Sequence, residues 1–224
     1  MAAFAHAQAP YPVKPLRLIV PFPPGGGNDI LARTVGQRLT EVVRYQVIVD
    51  NRGGAGGALG AQIAAAASPD GYTLFLGSVG NLAQNPVLTA KPVYDPVRDF
   101  AAVTLLATSV FVLAVNTALP AKSVSELVAL AKAKPGVLNY ASAGNGSSLH
   151  LAAEIFKHAT QTQITHVPYR GANAAFVDMV AGQVQMIVTT MPAALPHVRA
   201  GKVRALGTSG PKRVAVLPDV PAIA

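Results

Sequence analysis

Two stretches of this chain have the residue types and spacing to hold an anion. One is Pro21-Phe22-Pro23-Pro24-Gly25-Gly26-Gly27-Asn28-Asp29; the other runs from Ser142 to His150 through Gly144-Asn145-Gly146-Ser147-Ser148. Each follows an apolar run and precedes a helical pattern. The first turn of a helix leaves backbone N–H groups unpaired and carries the positive end of the helix dipole. Glycine there lets a ligand approach the backbone with no Cβ in the way. Each loop is therefore a candidate anion cradle, and two of them facing one cleft could grip two carboxylates of one ligand. The plainer reading of either is a strand-to-helix turn whose glycines serve only geometry.

Other chemistries fit less well. The triple glycine does not satisfy G-x-G-x-x-G, and no Lys-Ser/Thr follows it as a phosphate loop requires. Asp50, at the end of the second apolar run, stands where a ribose-binding acid would lie in a dinucleotide fold. A nucleotide-dependent oxidoreductase built on the Gly25–Gly27 turn and Asp50 is thus the rival function. The histidines are His6, His150, His158, His166 and His197. They form no H-E-x-x-H or related metal pattern. Ser147 and His150 could pair as nucleophile and base, but their surroundings are not G-x-S-x-G, and Ser147 reads more simply as a helix N-cap. Arg170, in Tyr169-Arg170-Gly171, could take a carboxylate bidentately. No catalytic residue, metal ligand or cofactor is assigned.

The elements that must position these loops are legible in outline. Leu16-Arg17-Leu18-Ile19-Val20 is a buried strand, and Leu31, Val35, Leu39 and Val42 mark a helix starting near Asn28. Val47–Val49 is a second strand, Gly53–Gly60 a turn, Ala61–Ala67 a helix and Tyr72–Leu76 a third strand. This β-α-β-α-β order predicts a parallel sheet covered by helices. Pro86 to Pro96 reads as a linker, and the apolar stretch Ala101–Val115 as two consecutive strands. Ser123-Val124-Ser125-Glu126 has the form of a capping box and should start a helix ending before Pro135-Gly136. Strands at 138–141 and 164–167 alternate with helices at 149–159 and 172–181. Gly182 and Gly201 each close a helix before a further strand. Two such halves predict two lobes with a cleft between them.

Composition agrees. Hydrophobic residues make up 51% of the 224 and charged ones 12%, too apolar a balance for a disordered chain. The formal charge of +8 raises the encounter rate of small anions. Its Lys and Arg are scattered, unlike the clusters that bind nucleic acid. There is no cysteine, so disulfides and thiolate metal sites are excluded. The longest apolar stretch is shorter than the roughly 20 residues of a membrane helix. Ala5-His6-Ala7-Gln8-Ala9 resembles the end of a secretory signal, with an A-x-A step.

The loops also carry a family likeness. Pro21–Asp29, Asp50-Asn51-Arg52-Gly53-Gly54-Ala55-Gly56-Gly57 and Ser68-Pro69-Asp70-Gly71-Tyr72-Thr73-Leu74 resemble motifs of the Bordetella uptake gene (Bug) proteins, receptor components of tripartite tricarboxylate transport systems. The likeness continues through Asn85-Pro86, Tyr94–Phe100, Tyr140–Ser147, His150-Leu151-Ala152, Val167–Gly171 and Leu217–Pro221. The resemblance implies a type II periplasmic binding protein fold: an α/β chain of parallel-rich sheets in two lobes that close on ligand by a hinge. It implies a first lobe over 1–100, to which 207–224 returns, and a second over 101–206. It also implies a monomeric periplasmic receptor that delivers a small carboxylate to membrane transporter subunits or to a sensor kinase.

The ligand contacts it implies are Phe22, Gly26, Gly27, Asn28, Asp29, Ser78 and Asn81 from the first lobe. From the second they are Ser142, Ala143, Gly146, Ser147 and His150, with Arg170 and Gly171 at the rim. Asn28 replaces a common Thr, and the segment Val188-Thr189-Thr190 lacks an acid often found there, which disfavours an amino-acid ligand. Family members extend several dozen residues beyond Pro221, so the chain reads as C-terminally truncated. Gly26→Leu or Ser147→Leu should abolish binding and leave the fold largely intact.

Overall fold

The computed structural model describes residues 11–223; the signal-like Ala5–Ala9 lies outside them. Two sheets organise the chain. The first has the order β2-β1-β3, from β1 (Leu16–Val20), β2 (Val47–Asn51) and β3 (Thr73–Phe75), all parallel. β1 is central because both its faces are apolar. Leu16, Leu18 and Val20 pack with Ala32, Val47 and Leu76, while Ile19 is buried on the other side. A strand covered on both faces reads as a continuous apolar run. Helix α1 (Gly27–Val43) follows β1 and lies against β2. Gly36 faces β2, where a Cβ would meet Val47 Cγ1 at 3.5 Å, an ordinary packing distance. α1 stops at Arg44 in the left-handed region. Helix α2 (Ala58–Ala65) links β2 to β3.

The predicted linker at 86–96 begins helical. A π turn over Gly80–Gln84 runs into the short α3 (Asn85–Leu88). The two strands expected over 101–115 are one: β4 (Phe111–Asn116) forms, and residues 101–110 have no regular structure and are mostly exposed. An apolar run carries no signal for where its hydrogen-bonding partners stop. β4 exists because β7 and β8 pair with its two edges.

The second sheet has the order β6-β5-β7-β4-β8, from β5 (Asn139–Ser142), β6 (Thr165–Pro168), β7 (Met186–Thr190) and β8 (Val203–Thr208) with β4. β5 is parallel to β6 and β7, whereas β4 is antiparallel to β7 and β8. Alternation along β4 serves two cores. Val112 and Ala114 meet Phe176, Met179 and Ile187; Leu113 and Val115 meet Leu127, Tyr140 and Met186. Four helices cover it: α4 (Val124–Ala133), α5 (Ser148–Thr160), α6 (Ala172–Val180) and α7 (Met191–Arg199). The capping box is half met. Ser123 Oγ accepts from Glu126 N at 3.1 Å, but Glu126 Oε2 accepts from Lys122 N, one residue earlier than the motif prescribes. Gly182 and Gly201 are left-handed after α6 and α7, as expected of C-caps.

The two ends of the segment 207–224, expected to return to the first lobe, lie at the second sheet. Thr208 N donates to Pro221 O and Ile223 N to Thr208 O, both at 2.9 Å. Residues 221–223 thereby pair with β8 at its last residue, Thr208. Gly207 makes room for them, since a Cβ there would press into the Ile223 side chain.

Candidate ligand site

β1, β5 and β6 run at their carboxyl ends into loops that lead into α1, α5 and α6, and β7 passes straight into α7. Beyond the carboxyl ends of strands is where open α/β sheets bind ligands. Here those loops surround one cavity of about 340 Å³. The first sheet contributes Phe22, Pro23, Pro24, Gly26, Gly27 and Asn28. The second contributes Ala143 from the loop after β5, Ser148 and Leu149 from α5, Arg170 and Gly171 from the loop before α6, Ala172 to Ala174 from α6, and Thr189 and Thr190 from the end of β7. Four helix N-termini therefore converge where the sequence had suggested two.

Three of the four ends have no side-chain cap. The N-cap residues are Gly26 for α1, Gly171 for α6 and Thr190 for α7, and none of their side chains bonds its helix. At α7, Met191 N already donates to Val110 O at 3.2 Å and Pro192 has no N–H, so α7 adds chiefly its dipole. α1 and α6 start with amides that no capping side chain occupies. Together they favour an anion. Among the described residues no acid lines the cavity and Arg170 is its one cation. The rest of the lining is apolar or small: Phe22, Leu149, prolines, glycines and alanines. The arrangement can solvate a compact negative group and bury a short hydrocarbon body beside it.

The two halves meet around this cavity. Asn173 Nδ2 donates to Pro24 O at 2.8 Å. Gly27 is the glycine that the approach requires. A Cβ there would overlap Thr190 Oγ1 and lie 3.1 Å from its Cβ, so rotating the threonine could not clear it. Gly26 is freer, since a Cβ there would find only Pro23 O, at 4.0 Å.

The sequence-derived contacts divide accordingly. Phe22, Gly26, Gly27, Asn28, Ala143, Arg170 and Gly171 line the cavity. Asp29 does not. It is buried and accepts from Gly25 N at 2.8 Å, Arg33 Nε at 2.9 Å and Asn51 Nδ2 at 2.9 Å. Burial alone would raise its pKa; the bonds from Arg33, Gly25 and Asn51 outweigh this and hold the carboxyl below its ordinary range. Asp29 braces the first loop from behind. Ser78 and Asn81 bond each other, with Asn81 Oδ1 accepting from Ser78 N at 2.9 Å and Asn81 Nδ2 donating to Ser78 Oγ at 3.0 Å. Asn81 is fully buried and its carbonyl accepts from the Tyr94 hydroxyl.

Ser142, Gly146, Ser147 and His150 hold the second loop together rather than facing the cavity. Ser142 Oγ accepts from Gly144 N at 3.1 Å and shares a 2.7 Å bond with His166 Nε2. Ser147 Oγ caps α5 by accepting from His150 N at 3.2 Å, and His150 Nδ1 accepts from Gly146 N at 3.3 Å. The His150 and His166 rings stack at 4.2 Å, and Tyr140 stacks on His166 at 4.8 Å. Burial, then the neighbouring His150, brings the His166 pKa down to about 4. The same loop presses on the first sheet's loops. A Cβ on Gly56 would overlap Asn145 O, and one on Gly146 would overlap Asn85 Oδ1.

The rival reading fails at Asp50. Arg17 and Arg52 both bond its carboxylate at 2.8 Å, so it is committed to holding β2 and the loop after it. Sequence reasoning missed Pro23, Pro24, Ser148, Leu149 and Ala172 to Ala174 as lining residues, and noted Thr189 and Thr190 only for the acid they replace. A signal for α7 was present: Thr190 before Met191-Pro192 is an N-cap residue followed by an early helical proline.

Comparison with known proteins agrees with this geometry. The family model for the tripartite tricarboxylate transporter family receptor matches residues 31–224. Protein BugT of Bordetella pertussis is 38% identical over 215 residues, covering 96% of this chain and 66% of BugT. A solved periplasmic transporter superposes with a TM-score of 0.93 at 44% identity, over 95% of this chain and 71% of that one. A Rhodopseudomonas palustris protein solved with adipate gives a TM-score of 0.93 at 36% identity, over 96% and 72%. The chain spans about two thirds of the length of the curated relatives it matches (63% and 66% for two of them).

Proposed function

Because the chain belongs to the tripartite tricarboxylate transporter receptor family, we propose that it is the ligand-holding part of an extracytoplasmic receptor. The receptor captures a small carboxylate between two lobes and delivers it to a membrane transporter of the tripartite kind. The lobes we propose are built on the two sheets, with the division near residue 100. The observation that carries this reading is the convergence of α1, α5, α6 and α7 on one cavity that contains no acid. A carboxylate is the group such a site solvates best. The protein solved with adipate supports the same ligand class, and the solved periplasmic relative supports a periplasmic location. Receptors of this family bind and release; they do not transform their ligand.

The contacts we propose are backbone amides at Gly26, Gly27 and Gly171, the Asn28 side chain and the α5 start at Ser148, with Arg170 at the rim. Asp29, Ser142, Ser147 and His150 support these contacts without touching ligand. A thermal-shift and calorimetric screen of carboxylates against NAD tests the reading. A carboxylate at a hundredfold excess over its Kd should stabilise the protein by about 2.7 kcal/mol. Stabilisation by NAD and by no carboxylate would overturn it.

A further inference from the structure

Very little joins the two halves of the chain. Among the described residues, one hydrogen bond and no ion pair links residues 11–100 to residues 101–223: Asn173 Nδ2, on α6, donates to Pro24 O at 2.8 Å. The two sheets share no strand pairing, and Phe22 alone from the first half packs on a core of the second. Much of the remaining contact is glycine on backbone or proline. A Cβ on Gly80 would come within 2.9 Å of Ser148 N, and one on Gly171 within 3.1 Å of Pro23 Cδ. Glycine buries almost no apolar area, so such contacts fit closely yet hold weakly. Two units joined this lightly move relative to one another, and a single bond between them shifts the balance.

Asn173 is placed to do this. It is exposed and also lines the cavity, so its bond lies where the cavity meets solvent. Its side chain makes no other hydrogen bond, within α6 or elsewhere. Gly25 admits the amide: at φ +84° it has no Cβ, and one there would overlap Asn173 Nδ2. Taking the two-lobed receptor reading as given, we propose that Asn173 is a positioning residue that latches the lobes together. Its bond to Pro24 favours the closed arrangement and slows the escape of bound ligand, and the amide does not itself hold the carboxylate.

Fluorescence energy transfer tests this. The chain has no cysteine, so dyes can be placed at Val42→Cys on α1 and Val177→Cys on α6, both exposed and on the two helices whose starts the latch joins. One net hydrogen bond is worth a factor of about five in an equilibrium constant. Asn173→Ala should therefore lower the ligand-free ratio of closed to open molecules about fivefold. With adipate as the probe, stopped flow should show dissociation faster by about the same factor and association changed less than about twofold. Alanine suits a helix, so Tm should stay within about 1 °C. An unchanged ratio, a slower association with unchanged dissociation, or a loss of Tm in place of the kinetic change would each overturn the latch. If adipate does not bind, the ligand-free ratio decides alone. A ratio that falls in a protein that no carboxylate binds would remove the receptor reading and leave the latch standing.

Discussion

The two glycine-rich loops look alike as sequence and do different work. The first, at 21–29, ends in a helix whose cap is a glycine with no side chain to offer. It turns Gly26, Gly27 and Asn28 toward the cavity. The second, at 142–148, ends in a helix capped by Ser147 and is tied together by Ser142, His150 and His166. It shows the cavity only its margins, Ala143 and Ser148. The first loop's helix start has no side-chain cap, so its amides can meet a ligand; the second satisfies its groups internally and serves as a rigid wall. Changes in the second loop should therefore cost stability, and changes in the first should cost affinity.

Gly146→Ala should show the largest effect. Gly146 has φ +73°, and a Cβ there would overlap Asn85 Oδ1. Left-handed backbone and overpacking together should remove about 3 kcal/mol of stability by urea denaturation. A loss under about 0.5 kcal/mol, the scale of an ordinary surface change, would mean the second loop is not the rigid one.

The pH dependence of that loop should be nearly as large. His166 has a folded pKa near 4, below its usual 6.5. The neutral ring is the form the fold holds, so its contribution is complete above about pH 6.5 and declines as pH falls toward 4. The total is at most about 3 kcal/mol. The charged or titratable groups around it are His150, Glu154, Lys157 and Tyr140. Asp29, whose pKa lies below 3.8, loses its contribution only at lower pH, so the two windows separate. Replacing His166 with Asn should flatten the stability profile between pH 6.5 and 4; an unchanged slope would assign it elsewhere.

Gly26→Leu should act on affinity. Its Cβ meets almost nothing, so folding should tolerate it, while the rest of the side chain enters the cavity. A roughly hundredfold loss of carboxylate affinity, about 2.7 kcal/mol, is expected by calorimetry, with little change in Tm. Ser147→Ala should have the smallest effect: about 1 kcal/mol of stability from the lost cap, and less than a threefold change in Kd. A larger loss of affinity than of stability would erase the contrast between the loops. Ser147→Leu, by comparison, no longer tests binding alone, because Ser147 is fully buried and leucine there would disturb the fold.

The sequence by itself determined the local pieces. Apolar runs placed β1, β2 and β5, helical spacing placed α1, and glycines marked the turns, because these depend on each residue and its near neighbours. It also pointed to an anion, since a helix start capped by glycine leaves the positive dipole end without a side-chain partner. Tertiary structure alone decided which polar groups remain free. Asp29, Ser142 and Ser147 were plausible contacts until Arg33, Gly144 and the amide of His150 were seen to occupy them. Nor could the sequence bring Thr190 beside Gly27. That proximity depends on one sheet meeting another across 160 residues of chain, and hydrogen-bond capacity is divided only once distant partners have met.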